Sequence, residues 1–129
     1  MTPAETLQQI YRSYAARDFE GALALCSDDF RFCWPVDPGQ ARRCGVSNGK
    51  AGFAERLEGL AEDFVYRSFT PLDIVDGGDE AAAQVEIEMT HKANGRDFRM
   101  RVAQFWTFRD GQAVELVEYY DTALVQSLS

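Results

Sequence analysis

Long apolar runs, basic clusters and glycine-rich phosphate loops are all missing from these 129 residues. No stretch approaches the roughly 18 apolar residues that span a bilayer. The opening MTPAETLQQ has no basic region followed by an apolar one, so no leader is expected and the chain reads as soluble and cytoplasmic. Thirteen Lys and Arg against 21 Asp and Glu give a net charge of −8. No basic group stands apart from acidic neighbours, which argues against a nucleic-acid or anionic-membrane partner and leaves solubility as the use of the acidic surface. Histidine occurs once, at His91, which excludes a multi-histidine metal centre; a Ser–His–Asp or Cys–His site would have to be built on that one imidazole. Cys26, Cys33 and Cys44 are odd in number and lack CxxC spacing, against both a disulfide framework and a zinc site. Cys26 and Cys33 read as small core residues. Without a GxSxG elbow, a GxxxxGK[ST] loop or a GxGxxG turn, nothing local supports hydrolase-elbow or nucleotide chemistry. No metal and no cofactor are expected.

What is present is the material of one α+β domain over residues 1–129, a length that supports a single core. Thr2-Pro3-Ala4-Glu5 has the form of a capping box, and Leu7, Ile10, Tyr11, Tyr14 and Ala15 then share a helical face. Asp18 can cap a second short helix that turns Phe19, Ala22, Leu23 and Cys26 inward. After Ser27-Asp28-Asp29 the period becomes two-fold, with Phe30, Phe32 and Trp34 on one side of a strand. Residues 35–49 concentrate Pro and Gly without a period and read as a surface loop at the rim of a site. From about Asn48, the spacing of Phe53, Leu57, Leu60, Ala61 and Phe64 predicts a third helix. Four strands follow, over 64–76, 81–93, 96–109 and 112–124, with turn signals between them.

Asn94-Gly95 is a strong hairpin signal, and a two-residue loop there places His91 opposite Phe98, Met89 opposite Met100, Ile87 opposite Val102 and Val85 opposite Gln104. That face is apolar and is expected inside. The reverse face pairs Lys92 with Asp97 and Glu88 with Arg101. A second two-residue loop at Asp110-Gly111 sets Met100 opposite Asp121, Val102 opposite Tyr119, Gln104 opposite Val117 and Trp106 opposite Glu115, which points Asp121 inward. A bulge at Gly111 would instead turn every side chain of the last strand over.

Two helices, a strand, a Pro/Gly loop, a third helix and four antiparallel strands resemble the nuclear-transport-factor-like superfamily of ketosteroid isomerases, limonene epoxide hydrolase and SnoaL-like cyclases. The segments YAARDFEGALALCSDDFRFCWP and FWTFRDGQAVELVEYYDTALV resemble its opening helix pair with first strand and its final hairpin. The resemblance implies a cone-shaped, curved antiparallel sheet wrapped around three N-terminal helices and enclosing an apolar pocket. It does not carry the isomerase's catalytic set. The catalytic tyrosine falls on Ile10, the general-base aspartate on Trp34 and the protonated aspartate on Gln104, and the hydrolase's Arg-x-Asp falls near Glu88-Met89-Thr90. Asp121, in EYYD, matches the aspartate that SnoaL-like cyclases and the epoxide hydrolase use as an acid or base.

An Asp121 set in a methionine row, with no basic residue on that face, would have its pKa raised by desolvation and could work as a general acid or base near neutral pH. At the strand end it would equally serve as a backbone cap. His91 lies roughly 10 Å or more from Asp121 by strand spacing, too far for a hydrogen-bonded dyad, and either faces a ligand from the opposite side or is structural. Gln104 among apolar neighbours needs a partner, such as a ligand carbonyl or Tyr14. Tyr14 and Tyr119 can supply hydroxyls, Met89 and Met100 a floor, and Phe32, Trp34, Phe53 and Trp106 an aromatic wall that is either core or a stacking surface for a flat ring. On the outer sheet face Phe105, Val114, Leu116 and Tyr120 are expected to form an apolar strip for a homodimer. Together with the resemblance, which supplies the reaction class, these residues imply a cofactor-independent cyclase, isomerase or dehydratase acting on a small hydrophobic carbonyl compound; a non-catalytic binder of such a molecule is the alternative, and a bare assembly domain explains least.

Overall fold

The structure, a computed structural model, describes residues 1–39 and 44–128. Helix α1 (Pro3–Ala15) starts on the expected capping box: Thr2 Oγ1 accepts from the Glu5 amide at 3.1 Å, and Glu5 Oε1 accepts from the Thr2 amide at 3.0 Å. Helix α2 (Phe19–Ala24) is capped by Asp18, whose Oδ1 takes the Gly21 amide at 2.9 Å. Strand β1 (Cys26–Trp34) and helix α3 (Gly49–Asp63) follow as the periodicity predicts. Between them, part of the expected loop is a short strand, β2 (Gly45–Asn48), and residues 40–43 of that loop lie outside the described residues. Strands β3 (Phe64–Asp76), β4 (Glu80–His91), β5 (Arg96–Arg109) and β6 (Gln112–Tyr119) complete the sheet, and helix α4 (Thr122–Ser127) takes the end of what reads as strand in the sequence.

The sheet runs β2-β1-β6-β5-β4-β3. It is antiparallel except where β1 lies parallel to β6, so it is mixed rather than wholly antiparallel. Its concave face carries the core. Leu7 and Ile10 of α1 and Phe53 and Leu57 of α3 are buried against Phe30, Phe32, Val85, Val102, Trp106 and Leu116. Among the described residues no helix is long and apolar enough to cross a membrane.

Both hairpins depart from the predicted register, with different consequences. Between β4 and β5 the loop is residues 92–95, closed by the Gly95 amide on the His91 carbonyl at 2.8 Å, with Gly95 at φ 70°. Met89 therefore faces Phe98, Ile87 faces Met100, Val85 faces Val102 and Ala83 faces Gln104, a slip of two from the expected pairs. An even slip leaves every side chain on its predicted face. The outer charges re-pair, Arg99 with Glu88 at 3.4 Å and Arg101 with Glu86 at 3.6 Å, while Asp97 lies opposite Thr90 and not Lys92.

Between β5 and β6 the two-residue loop is present, with Asp110 at φ 53° and Gly111 at φ 77°. Two residues later the register breaks: Ala113 pairs with Phe108 but Glu115 pairs with Thr107, leaving Val114 as a bulge. Beyond it Leu116 faces Trp106 and Glu118 faces Gln104. The odd slip turns the strand over. Glu118 goes inside, while Tyr119 goes outside, 47% exposed and against Phe105 at 6.0 Å between ring centroids. Leu116, expected on the outer strip, is 3% exposed. Tyr120, expected there too, packs on Trp34 at 5.7 Å.

Candidate functional site

A cavity of about 300 Å³ opens between α3, α4 and the concave face of the sheet, walled by Trp34, Leu60, Tyr66, Ile87, Met89 and Met100. That volume is at the lower end for small-molecule sites. A narrower extension of about 60 Å³ runs inward beneath it between α1, α3 and the sheet. Tyr66, Trp34 and Glu118 line both spaces.

Two carboxyls line this cavity, Asp63 at the end of α3 and Glu118 on β6, and Glu118 is the one that also lines the inner extension. Trp34 Nε1 donates to its Oε1 at 2.8 Å and Gln104 Nε2 to its Oε2 at 2.7 Å. Both partners are neutral, and each is 4% exposed. Burial raises the carboxyl's pKa above its ordinary 4.5, while the hydrogen bonds from Gln104 and Trp34 pull the other way without offsetting it. Behind Gln104, Tyr11 donates its hydroxyl to Oε1 at 2.7 Å, and Trp106 Nε1 reaches the same oxygen at 3.1 Å and Tyr11 Oη at 3.2 Å. The amide oxygen is thus consumed by the core, which points the amide nitrogen at Glu118.

Tyr14 donates its hydroxyl to Tyr66 Oη at 3.1 Å, so the Tyr66 proton is left for another acceptor. Burial pushes the Tyr66 phenol up to about 12, with the Tyr14 hydrogen bond lowering it and the nearby Glu118 raising it. Both phenols stay protonated at neutral pH. Arg56 crosses the aromatic wall, its guanidinium 4.9 Å from the centroid of the Trp34 ring and 5.6 Å from that of Phe32.

Among the residues singled out in the sequence, Trp34, Met89, Met100 and His91 line the main cavity. Tyr14, Phe32, Trp34, Phe53, Gln104 and Trp106 line the inner extension. Gln104 bonds Tyr11 and Glu118, not Tyr14. Tyr119 is on the opposite face of the sheet. Asp121 does not point inward: it is exposed and is the N-cap of α4, its Oδ1 accepting the Leu124 amide at 3.0 Å. The strand ends at Tyr119 because Asp121 starts a helix. Among the described residues no three His, Cys, Asp or Glu side chains cluster as a metal site would need. Glu118 and Tyr66 were not singled out. The signal available for Glu118 was Gln104: a buried amide needs a polar partner, and Glu118 is one residue from the apolar Val117 expected opposite it.

Several solved structures share this fold. A nuclear-transport-factor-like protein from Burkholderia pseudomallei is 22% identical with TM-score 0.87, covering 97% of this chain and 95% of that one. TerC, co-crystallised with polyporic acid, is 25% identical with TM-score 0.86 over the same shares of the two chains. A provisionally named polyketide cyclase from Pseudomonas putida is 25% identical with TM-score 0.77, covering 94% and 92%. No curated protein matches the sequence significantly. The SnoaL-like domain model matches residues 7–116, most of the length that folds into this helix-and-sheet cone, and the chain belongs to the SnoaL-like domain family.

Proposed function

We propose that the protein is a cofactor-independent cyclase, isomerase or dehydratase for a small hydrophobic carbonyl compound, with Glu118 as the acid and base. The observation that carries this reading is the Glu118 carboxyl on the cavity wall, fixed by neutral donors at both oxygens and raised in pKa by burial. A carboxyl so placed suits proton transfer near neutral pH. As carboxylate it takes a proton from the carbon next to the substrate carbonyl. The C–H electron pair becomes a carbon–carbon double bond and the carbonyl oxygen takes the charge, where the Tyr66 hydroxyl donates a hydrogen bond. Glu118 then returns the proton, to another carbon in an isomerisation or to the oxygen of a second carbonyl that the enolate has attacked in a cyclisation. A structural relative crystallised with polyporic acid and another named for polyketide cyclisation support this substrate class. The test is turnover of a polyketide and dienone panel. Glu118→Gln is expected to lose about 100-fold or more in kcat while still binding ligand, and Asp121→Asn to keep wild-type turnover. Full activity in Glu118→Gln would overturn the assignment. Ligand binding without turnover by the wild type would make the chain a binder instead.

We also propose a homodimer through the outer sheet face. Val46, Cys33, Val117, Phe105, Ala82 and Val75 lie in direct register across all six strands on that face. Phe105 is 50% and Val75 61% exposed. The row is flanked by the Arg99 and Arg101 pairs with Glu88 and Glu86, which a second copy can complement.

A further inference from the structure

Helix α4 is the least anchored of the helices and strands around the cavity. Strands β4, β5 and β6 each have a strand neighbour on both sides, and α3 runs for 15 residues and buries Phe53 and Leu57. Helix α4 has six residues and buries none of them, although Thr122, Val125 and Gln126 line the cavity. So short a helix is not stable on its own propensity, and its docking holds it in place. It carries its own caps. Asp121 accepts the Leu124 amide at 3.0 Å, and the Ser127 hydroxyl donates to the Leu124 carbonyl at 2.6 Å. Segment 121–128 can therefore move as a unit.

The far end of that segment is fastened to the β4–β5 turn. Asn94 Nδ2 donates to the Leu128 carbonyl at 2.5 Å, and Arg96 Nη1 to the Ser127 carbonyl at 2.7 Å. Carbonyls at a helix C-terminus have no partner within the helix and need outside donors. The Arg96 amide donates to Asn94 Oδ1 at 3.0 Å, which turns the side-chain nitrogen of Asn94 towards Leu128. The Leu128 side chain, 3% exposed, completes the attachment. At the near end the helix joins β6 through Tyr120, whose ring packs on Trp34 at 5.7 Å. Chain ends open locally at the lowest free energies in a folded protein, so each contact at Leu128 weighs on how often this end is released.

Resting on the reading of the cavity as a ligand site, we propose that α4 is its gate: residues 121–128 swing out about the Tyr120–Asp121 junction to admit and release ligand, and Asn94 is the latch that holds them closed. Asn94 is outside the cavity lining and acts on a ligand only through the open fraction. That fraction multiplies the entry and exit rates alike and cancels in the equilibrium constant. A residue that shaped the wall would change the affinity instead.

The test is stopped-flow binding of anilinonaphthalene sulfonate, a flat apolar dye that brightens out of water. Asn94→Asp keeps the acceptor for the Arg96 amide but turns a carboxylate towards the Leu128 carbonyl. It is expected to raise the association and dissociation rate constants together, each about tenfold, the weight of one hydrogen bond, with Kd within about twofold of wild type. Leu128→Ala, which loosens the same attachment from its apolar side, should show the same paired rise. Hydrogen exchange read by mass spectrometry should be faster over 122–128 in both variants and unchanged in α1 and β5. Faster exchange over 122–128 with unchanged dye rates would overturn the gate, because the helix then opens without passing ligand. A changed Kd with an unchanged association rate would make α4 a fixed wall, and unchanged exchange in Asn94→Asp would remove the latch. Each of these leaves the Glu118 reading standing. Failure of wild type to bind the dye would remove the gate and count against the cavity as an apolar ligand site.

Discussion

Gln104 and Glu118 lie directly opposite each other on β5 and β6, and the amide nitrogen of one donates to the carboxyl of the other at 2.7 Å. Three buried groups set that contact. Tyr11 and Trp106 occupy the amide oxygen of Gln104, so only its nitrogen is free to face the cavity, and Trp34 holds the other oxygen of Glu118. A carboxyl that receives only neutral N–H donors keeps its basicity, whereas a guanidinium or ammonium partner would hold it ionised and inert.

That arrangement makes a pH signature. The folded-state pKa of Glu118 lies above its ordinary 4.5, so in the window between the two values the native state binds more protons than the unfolded state. Stability from this group is then complete below the unfolded value and is lost as pH rises through the folded one. We expect the melting temperature of wild type minus that of Glu118→Gln to fall as pH rises from about 4.5 towards neutrality. A difference that is flat or rises over that range would show that the carboxyl is not held in a desolvated site.

The support behind the carboxyl is separable by substitution. Tyr11→Phe removes the donor to Gln104 Oε1 but leaves Trp106 bonded to it, so a loss of about 1–2 kcal/mol is expected. Gln104→Leu strips Glu118 of a donor and leaves the Tyr11 hydroxyl without its acceptor, and should cost about 2–3 kcal/mol while raising the Glu118 pKa further. The double variant should cost less than the sum, because both changes break one contact. Additive losses in urea denaturation would mean that the two residues do not act as a unit.

The sequence read well where errors cancel in pairs. In β4 and β5 the loop proved two residues longer than Asn94-Gly95 suggests, yet His91, Met89, Met100 and Gln104 kept their predicted face because side chains alternate with period two. In β6 the single extra residue at Val114 exchanged Asp121 and Tyr119 for Glu118. A bulge has no composition of its own, and VELVEYY alternates acceptably in either phase. Strand β2 was hidden in a Pro/Gly segment because edge pairing with β1 over Arg31 to Trp34, not local propensity, makes it a strand. The six-residue α4 was hidden for a related reason: its cap, Asp121, also fits the end of a strand.

The outer row offers a direct check on assembly. A stable dimer buries on the order of 800 Å² per partner, and Phe105 stands near the middle of the row with Val117 and Ala82 on either side. Phe105→Glu places a charge at the centre of that face without touching the cavity. We expect wild type to sediment as a dimer at micromolar concentration and Phe105→Glu as a monomer with ligand affinity retained. A monomeric wild type would remove the proposed interface.

The bulge itself yields the sharpest contrast between two one-residue deletions. Removing Val114 takes out the unpaired residue and leaves Ala113 opposite Phe108 and Glu115 opposite Thr107 as consecutive, regular pairs. Leu116 and Glu118 then stay inside, and the cost is the partly buried valine and the local bend, about 1–2 kcal/mol. Removing Val117 instead moves Glu118 to an outward position and brings Tyr119 in opposite Gln104. That change leaves the amide nitrogen of Gln104 and the indole of Trp34 without the carboxyl and forces a large ring into a filled space, for about 3 kcal/mol or more. The Val114 deletion should keep the falling melting-temperature difference attributed to Glu118, and the Val117 deletion should lose it. If the two deletions behave alike, the bulge at Val114 does not decide which carboxyl faces the cavity.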